Sequence, residues 1–279
     1  MESTREFAIG NIRIGGVAPL VMIAGPCVIE SAEHAAFIAQ KLWELSGEMG
    51  LPLVFKASYD KANRSSLSSY RGPGLREGMK ILAAIKQATG LPVLTDVHDV
   101  SQVDEAAEVC DVLQVPALLC RQTDLLLAVG RSGRAVNVKK GQFLSPWEMA
   151  TVVEKVASTG NDRILVTERG TSFGYRNLVV DMRSLAILKG LGYPVIFDAT
   201  HSVQLPGGEG HRSGGQPEFI EPLARAAAAV GVDGIFAEVH ENPAAALSDG
   251  TNALSLDQFR PLAAKLMQLA ALVRPWSAK

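Results

Sequence analysis

Short runs of Val, Ile, Leu and Phe recur along the chain at residues 20–24, 53–57, 93–96, 112–115, 135–138, 164–167, 195–198 and 234–238, each bounded by Gly, Pro or polar residues. Continuous apolar runs of this length suit parallel strands covered on both faces. Their starts lie about 31 residues apart on average, the length of one strand, helix and loop. Helical spacing fills the gaps. In 35–49 the apolar positions are Ala36, Ile38, Ala39, Leu42, Trp43 and Leu45, with Ser31 as the N-cap; on this spacing Trp43 belongs to the core. Further helices are predicted over 78–89, 101–108, 123–131, 146–159, 182–189, 220–230 and 256–273. Eight strand-helix units with right-handed crossovers predict an α/β fold, a closed (β/α)8 barrel of the TIM type, with an open doubly wound sheet as the alternative. Ahead of the first strand, Phe7-Ala8-Ile9 and Ile12-Arg13-Ile14 flank the two-residue turn Gly10-Asn11. This hairpin, within residues 1–16, is expected to plug the bottom of the barrel. No linker or charge block divides the chain, so 1–279 reads as one barrel domain.

Composition narrows the class. Of 279 residues, 47% are hydrophobic and 20% charged, which excludes disorder and collagen-like structure. No apolar run approaches the ~20 residues of a membrane span, and the start Met1-Glu2-Ser3-Thr4-Arg5-Glu6 is unlike a signal peptide. A cytoplasmic protein with no membrane partner is expected. Cys27, Cys110 and Cys120 make an odd number, which fits a reducing compartment better than a disulfide framework. The net charge of −2, from 27 basic and 29 acidic residues, gives no sign of a nucleic-acid partner. An anionic ligand would have to be held by a local cluster of cations.

In a barrel of this kind the residues just past each strand surround the active site. Here they are cationic: Lys56, Lys61, Arg64, Arg121, Lys139, Lys140 and Arg169. Such a rim suits phosphate or carboxylate groups, although any one of these cations would also fit an ordinary surface ion pair. Lys61-Ala62-Asn63-Arg64-Ser65-Ser66 packs two cations, an amide and two hydroxyls into one loop, a donor-rich composition suited to a sugar phosphate. A second constellation lies on the seventh, eighth and first strands, which adjoin when the barrel closes. Cys27 follows the first, Asp198-Ala199-Thr200-His201 ends the seventh, Glu238 ends the eighth, and Asp249 lies in the loop beyond. Thiolate, imidazole and two carboxylates suit a borderline divalent cation such as Zn, Fe(II), Mn or Co. Taken singly, Cys27 also reads as a small buried residue, His201 as a core histidine and Asp249 as a turn former. Cys110 and Cys120 read as structural. The stretch 206–215 is too glycine-rich for regular structure and reads as a lid or a flexible loop.

Several motifs together resemble the metal-dependent 3-deoxy-D-manno-octulosonate 8-phosphate synthases over nearly the whole chain. They include Ala24-Gly25-Pro26-Cys27-Val28-Ile29-Glu30-Ser31, Phe55-Lys56-Ala57-Ser58-Tyr59-Asp60-Lys61-Ala62-Asn63-Arg64-Ser65-Ser66, Gln114-Val115-Pro116-Ala117, Asn137-Val138-Lys139-Lys140, Glu168-Arg169-Gly170 and Phe197-Asp198-Ala199-Thr200-His201. The K-A-N-R-S-S segment is the most specific, because the related 3-deoxy-D-arabino-heptulosonate 7-phosphate synthases have a shorter K-P-R-T there. The resemblance implies condensation of phosphoenolpyruvate with D-arabinose 5-phosphate and water, on the way to lipopolysaccharide. It implies that Lys56, Ser58, Gln114, Ala117, Lys139 and Arg169 hold phosphoenolpyruvate, while Lys61, Asn63, Arg64, Ser65, Asp96 and His98 line the sugar-phosphate side. Arg121 would reach a neighbouring subunit's site, implying a homo-oligomer, usually a tetramer. Cys27, His201, Glu238 and Asp249 would bind one divalent metal, and Lys56, Lys61, Asp96, Lys139, His201 and Asp249 would be the catalytic set. A metal-free branch has Asn in place of Cys27 and Cys-Asp-Gly in place of Ser248-Asp249-Gly250, so both positions here resemble the metal branch. A heptulosonate synthase-like enzyme with another acceptor, a Schiff-base aldolase using Lys56 or Lys139, and a non-catalytic phosphate-binding barrel are the rival functions.

Overall fold

The computed structural model describes residues 3–63, 66–207 and 214–277. Eight parallel strands close into a barrel: β1 (Val21–Gly25), β2 (Leu53–Lys56), β3 (Val93–Asp96), β4 (Val112–Val115), β5 (Ala135–Lys139), β6 (Ile164–Glu168), β7 (Val195–Asp198) and β8 (Gly234–Glu238). They pair in numerical order, β8 pairs with β1, and the ring has no open edge, which excludes the doubly wound alternative. A helix follows each strand: α1 (Ala32–Met49), α2 (Leu75–Thr89), α3 (Val103–Val109), α4 (Thr123–Arg131), α5 (Met149–Ala157), α6 (Met182–Lys189), α7 (Ile220–Val230) and α8 (Leu256–Ser277).

Each strand is buried from end to end. One face turns into the barrel and the other meets the helices, so apolar residues occupy successive positions instead of alternating with polar ones. The Ser31 hydroxyl caps α1 by accepting from the His34 amide at 3.1 Å. Helix α1 buries Ala35, Ile38, Ala39 and Leu42, a stripe one turn apart. Trp43 lies one residue, about 100°, past that stripe, and is 44% exposed instead of in the core.

The amino-terminal hairpin pairs Phe7–Ile9 with Ile12–Ile14. Ile9, Ile12 and Ile14 pack with Val21, Val54, Leu94, Val112, Ala135, Leu165 and Ile196, which line the lower interior of the barrel, so the hairpin plugs its bottom. Part of the glycine-rich stretch is regular after all. Gly214–Gly215 pairs antiparallel with Gln204–Leu205, because backbone hydrogen bonds need no side chains; 208–213 lie outside the described residues. Among the described residues no helix is long and apolar enough to cross a membrane. All three cysteines are free and buried, and burial pushes the Cys110 thiol up to about 12.

Candidate active site

The strand ends do most of the positioning. Lys56, Asp96, Lys139, Asp198 and Glu238 are the last residues of β2, β3, β5, β7 and β8, and in register Glu238 lies level with Gly25 and Asp96 with Gln114. Above them opens a polar cavity of about 800 Å³, lined by Lys56, Lys61, Asn63, Asp96, His98, Gln114, Ala117, Lys139, Arg169, His201 and Asp249. The fold thus brings most of the expected site residues to one surface.

Its cations are restrained by acids below them. Lys56 Nζ donates to the Cys27 carbonyl at 2.9 Å and to Glu238 Oε1 at 3.2 Å. Lys139 Nζ donates to Asp198 Oδ2 at 2.5 Å and sits 3.7 Å from the centre of the Phe236 ring. Burial lowers the Lys139 pKa, with Asp198 opposing and Lys56 adding to the effect. Burial also works against the Lys61 ammonium, yet the Cys27 sulfur, when ionised, and the Asp96, Glu238 and Asp249 carboxylates raise its pKa. Lys61 Nζ donates to the Ser58 hydroxyl at 2.9 Å. Ser58 in turn donates to Asp96, whose other oxygen is 2.9 Å from His98 Nε2. Burial opposes ionisation of Asp96, but His98, Lys61 and Lys56 outweigh it and hold this carboxyl well below the usual range. Ser58 is fully buried and therefore reaches the cavity only through these two neighbours. Arg169 Nη2 donates to Gln204 Oε1 at 2.7 Å, while its Nη1 is buried without a hydrogen-bond partner. A buried guanidinium with a spare donor suits an anion.

Two cations of the expected rim are elsewhere. Lys140 follows Lys139 directly, and strand alternation sends it out of the barrel interior. Its Nζ bonds Thr171 Oγ1 at 3.0 Å and the carbonyls of Gly141 and Leu144, and it pairs with Glu168 at 3.4 Å. It is structural. Arg121 is exposed and does not line the cavity. Arg64 and Ser65 lie outside the described residues.

Beside the cations, Cys27, His201, Glu238 and Asp249 converge. Cys27 Sγ lies 3.3 Å from Asp249 Oδ2, and His201 Nε2 lies 3.4 Å from Glu238 Oε1 and 3.9 Å from Asp249 Oδ2. The candidate ligand atoms of Cys27, Glu238 and Asp249 all fall within 4.8 Å of one another. Asp249 adopts a left-handed backbone with φ of 49°. An aspartate tolerates that conformation better than most side chains. Burial and the charge of Glu238 hold the Cys27 thiol well above its ordinary pKa, so the thiol is protonated unless a cation displaces the proton. Glu238 stays ionised down to about 2, because the charges of His201, Lys56, Lys61 and Lys139 outweigh its burial.

Two partners in this cluster carried no role in the sequence. Asp198, fully buried, accepts from His201 Nδ1 at 2.7 Å and from the His201 amide at 2.9 Å, which leaves Nε2 facing the other ligand atoms. Ser248 Oγ lies 2.8 Å from Cys27 Sγ. The signal for Asp198 was its place three residues before His201 at a strand end; nothing in the spacing marks Ser248.

With this geometry in place, comparison with known proteins is direct. The model of the DAHP synthetase I family matches residues 2–274. The chain belongs to this family. Relatives within reach of full-length alignment include a protein of Syntrophotalea carbinolica, 62% identical over 95% of this chain and 96% of its own. Proteins of Citrifermentans bemidjiense and Geobacter metallireducens are 59% and 58% identical, each over 97% of this chain and over 99% and 100% of their own length. All three are named 2-dehydro-3-deoxyphosphooctonate aldolase. The family membership agrees with a barrel whose polar residues collect over the carboxyl ends of its strands.

Proposed function

We propose that this chain is an enzyme that condenses phosphoenolpyruvate with D-arabinose 5-phosphate and water, giving 3-deoxy-D-manno-octulosonate 8-phosphate and inorganic phosphate in lipopolysaccharide biosynthesis. The name carried by its relatives denotes the same eight-carbon 2-oxo-3-deoxy acid phosphate. The observation that carries the reading is the single cavity in which Lys56, Lys61, Lys139 and Arg169 stand beside the Cys27, His201, Glu238 and Asp249 cluster.

Phosphoenolpyruvate brings a carboxylate and a phosphate whose charges must be neutralised and fixed before its C3 attacks the aldehyde carbon. Lys139 and Lys56 supply those charges from rigid strand ends and Arg169 from the residue just past one, with Gln114 and Ala117 completing the wall. Lys61, Asn63 and His98 face the acceptor side; Arg64 and Ser65, which lie outside the described residues, are assigned to the sugar phosphate by the sequence motif alone. As the carbon bond forms, the aldehyde oxygen takes up a proton, water adds at C2, and phosphate leaves. His201 and Asp249 stand where protons must move, and Asp198 fixes the His201 ring. A mixed sulfur, nitrogen and oxygen donor set fits a borderline divalent cation held by Cys27, His201, Glu238 and Asp249. Bound there, such a cation would supply Lewis acidity to the condensation. Lys56 and Lys139 are each paired with a buried acid and serve charge neutralisation in place of imine formation.

A homo-oligomer, a tetramer in this reading, gives Arg121 its role, since it is exposed and outside its own cavity. Three free cysteines favour the cytoplasm. The test is phosphate release from phosphoenolpyruvate with arabinose 5-phosphate, erythrose 4-phosphate or an N-acetylhexosamine, with and without chelator. Release with the five-carbon acceptor only, abolished by chelation, supports the reading. Equal release with erythrose 4-phosphate assigns the alternative acceptor, full activity after chelation removes the metal, and borohydride inactivation with substrate restores the Schiff-base rival.

A further inference from the structure

We propose that Glu30, His34 and His240 form a second divalent-cation site, with Glu241 as the carboxylate that orients both imidazoles. None of these residues lines the active-site cavity. One ligand atom from each of Glu30, His34 and His240 lies within 4.8 Å of the others. The two rings face each other at 4.6 Å between centroids, tilted by 38°.

The ring nitrogens carry the argument. His34 Nε2 is 2.7 Å from Glu241 Oε2, so the proton resides on Nε2 and the Nδ1 lone pair is open. That Nδ1 is buried and has no hydrogen-bond partner. His240 is only 4% exposed, and its Nε2 is likewise buried and makes no hydrogen bond; it lies 3.3 Å from Glu30 Oε1, a contact that is an ion pair only when the ring is protonated. Its Nδ1 has two choices: it accepts from the Asn242 amide at 2.9 Å, or it donates to Glu241 Oε2 at 3.3 Å. In the second tautomer Glu241 accepts a hydrogen bond from both rings, and the two ring nitrogens that make no hydrogen bond present lone pairs. A histidine ligand whose other nitrogen donates to a carboxylate is the usual arrangement at metal sites. A cation selects that tautomer at the expense of the Asn242 bond. The 3.3 Å between Glu30 Oε1 and His240 Nε2 matches the edge of a tetrahedron with arms of roughly 2.0–2.1 Å. Two imidazoles and a carboxylate, without sulfur, suit zinc-class ions.

An ion here would join two catalytic loops. Glu30 and His34 flank the start of α1, just after Cys27; His240 opens the segment that carries Asp249; and Glu30 Oε1 already accepts from the Leu247 amide at 2.8 Å. Chelator-stripped full-length protein titrated anaerobically with Co(II) tests the proposal. Expected are two tight equivalents per chain, one with a near-ultraviolet thiolate charge-transfer band and one with d–d bands alone. His34→Gln and Glu30→Gln should each weaken the second equivalent at least tenfold and keep the thiolate band. Unchanged stoichiometry and affinity in both variants, or a single equivalent carrying the thiolate band in the wild type, overturns the proposal. Loss of the thiolate band with the second equivalent intact would instead sink the Cys27 site and leave this one standing.

Discussion

Asp198 governs which nitrogen of His201 faces Cys27 and Glu238, and it also neutralises Lys139. Asp198→Asn keeps the volume but removes the charge that holds the ring and the ammonium. Zinc affinity measured by competition with a chromophoric chelator should fall about 10- to 100-fold, with Cys27 still present; unchanged affinity would remove its orienting role. Lys140 is the opposite case, a cation that looked functional and is structural. Lys140→Met strands the Glu168 carboxylate, and urea unfolding should register a loss of about 3–5 kcal/mol, while phosphoenolpyruvate binding by calorimetry stays within twofold. The two adjacent lysines show what sequence discloses at this scale. Both were visible as cations at a strand end, but only the two-residue alternation of a strand separates the one facing in from the one facing out. Ser248 was marked only through the resemblance to the metal branch, and its contact with Cys27 was illegible because it spans 221 positions of chain.

Elements were more legible than single contacts, since burial on both faces leaves an unbroken apolar signature in each strand. Boundaries moved by a residue or a turn: α1 starts at Ala32 rather than 35, α5 is trimmed to Met149–Ala157, and α8 runs on to Ser277. Trp43 went wrong because an apolar residue was credited to the face its neighbours use, although one helical step turns it aside. The junction of β1 with the loop beyond it is where element geometry becomes site geometry. Gly25 has φ of 155°, and a Cβ built there would sit 2.1 Å from the Lys56 carbonyl oxygen. Gly25→Ala must therefore push β1 and β2 apart just where Cys27 and Lys56 emerge. Activity should drop at least tenfold with the far-ultraviolet circular dichroism spectrum retained; wild-type kinetics would refute the close-packing argument. The hairpin gives the contrasting test. Ile14→Ala opens a cavity at the bottom of the barrel and should cost about 2–5 kcal/mol in urea unfolding. KM should stay unchanged, because the plug and the cavity are at opposite ends of the strands.

Taken as a whole, the molecule concentrates buried charge at one end, and this makes its stability depend on pH. Asp96, Asp198 and Glu238 are all held below their ordinary values by neighbouring cations and hydrogen bonds that outweigh their burial. A carboxylate whose pKa is depressed on folding contributes its full stability above its unfolded value, near 4, and loses it as pH falls toward the folded value. For Glu238, shifted from 4.5 to about 2, this amounts to ~3 kcal/mol. Asp233, near the bottom of the barrel, runs the other way. Burial raises its pKa, so protonation relieves a cost as the medium acidifies, and it partly offsets the other three. In ion-free protein the urea midpoint should hence be nearly flat from pH 7 to 5 and fall steeply below about 4. Glu238→Gln should be less stable at pH 7, because Lys56 loses its buried partner, and its midpoint should fall less steeply in acid. If the two proteins lose stability in parallel from pH 5 to 3, the ion pairs over the strand ends do not support the fold in this way, and the acid sensitivity must come from charges elsewhere on the surface.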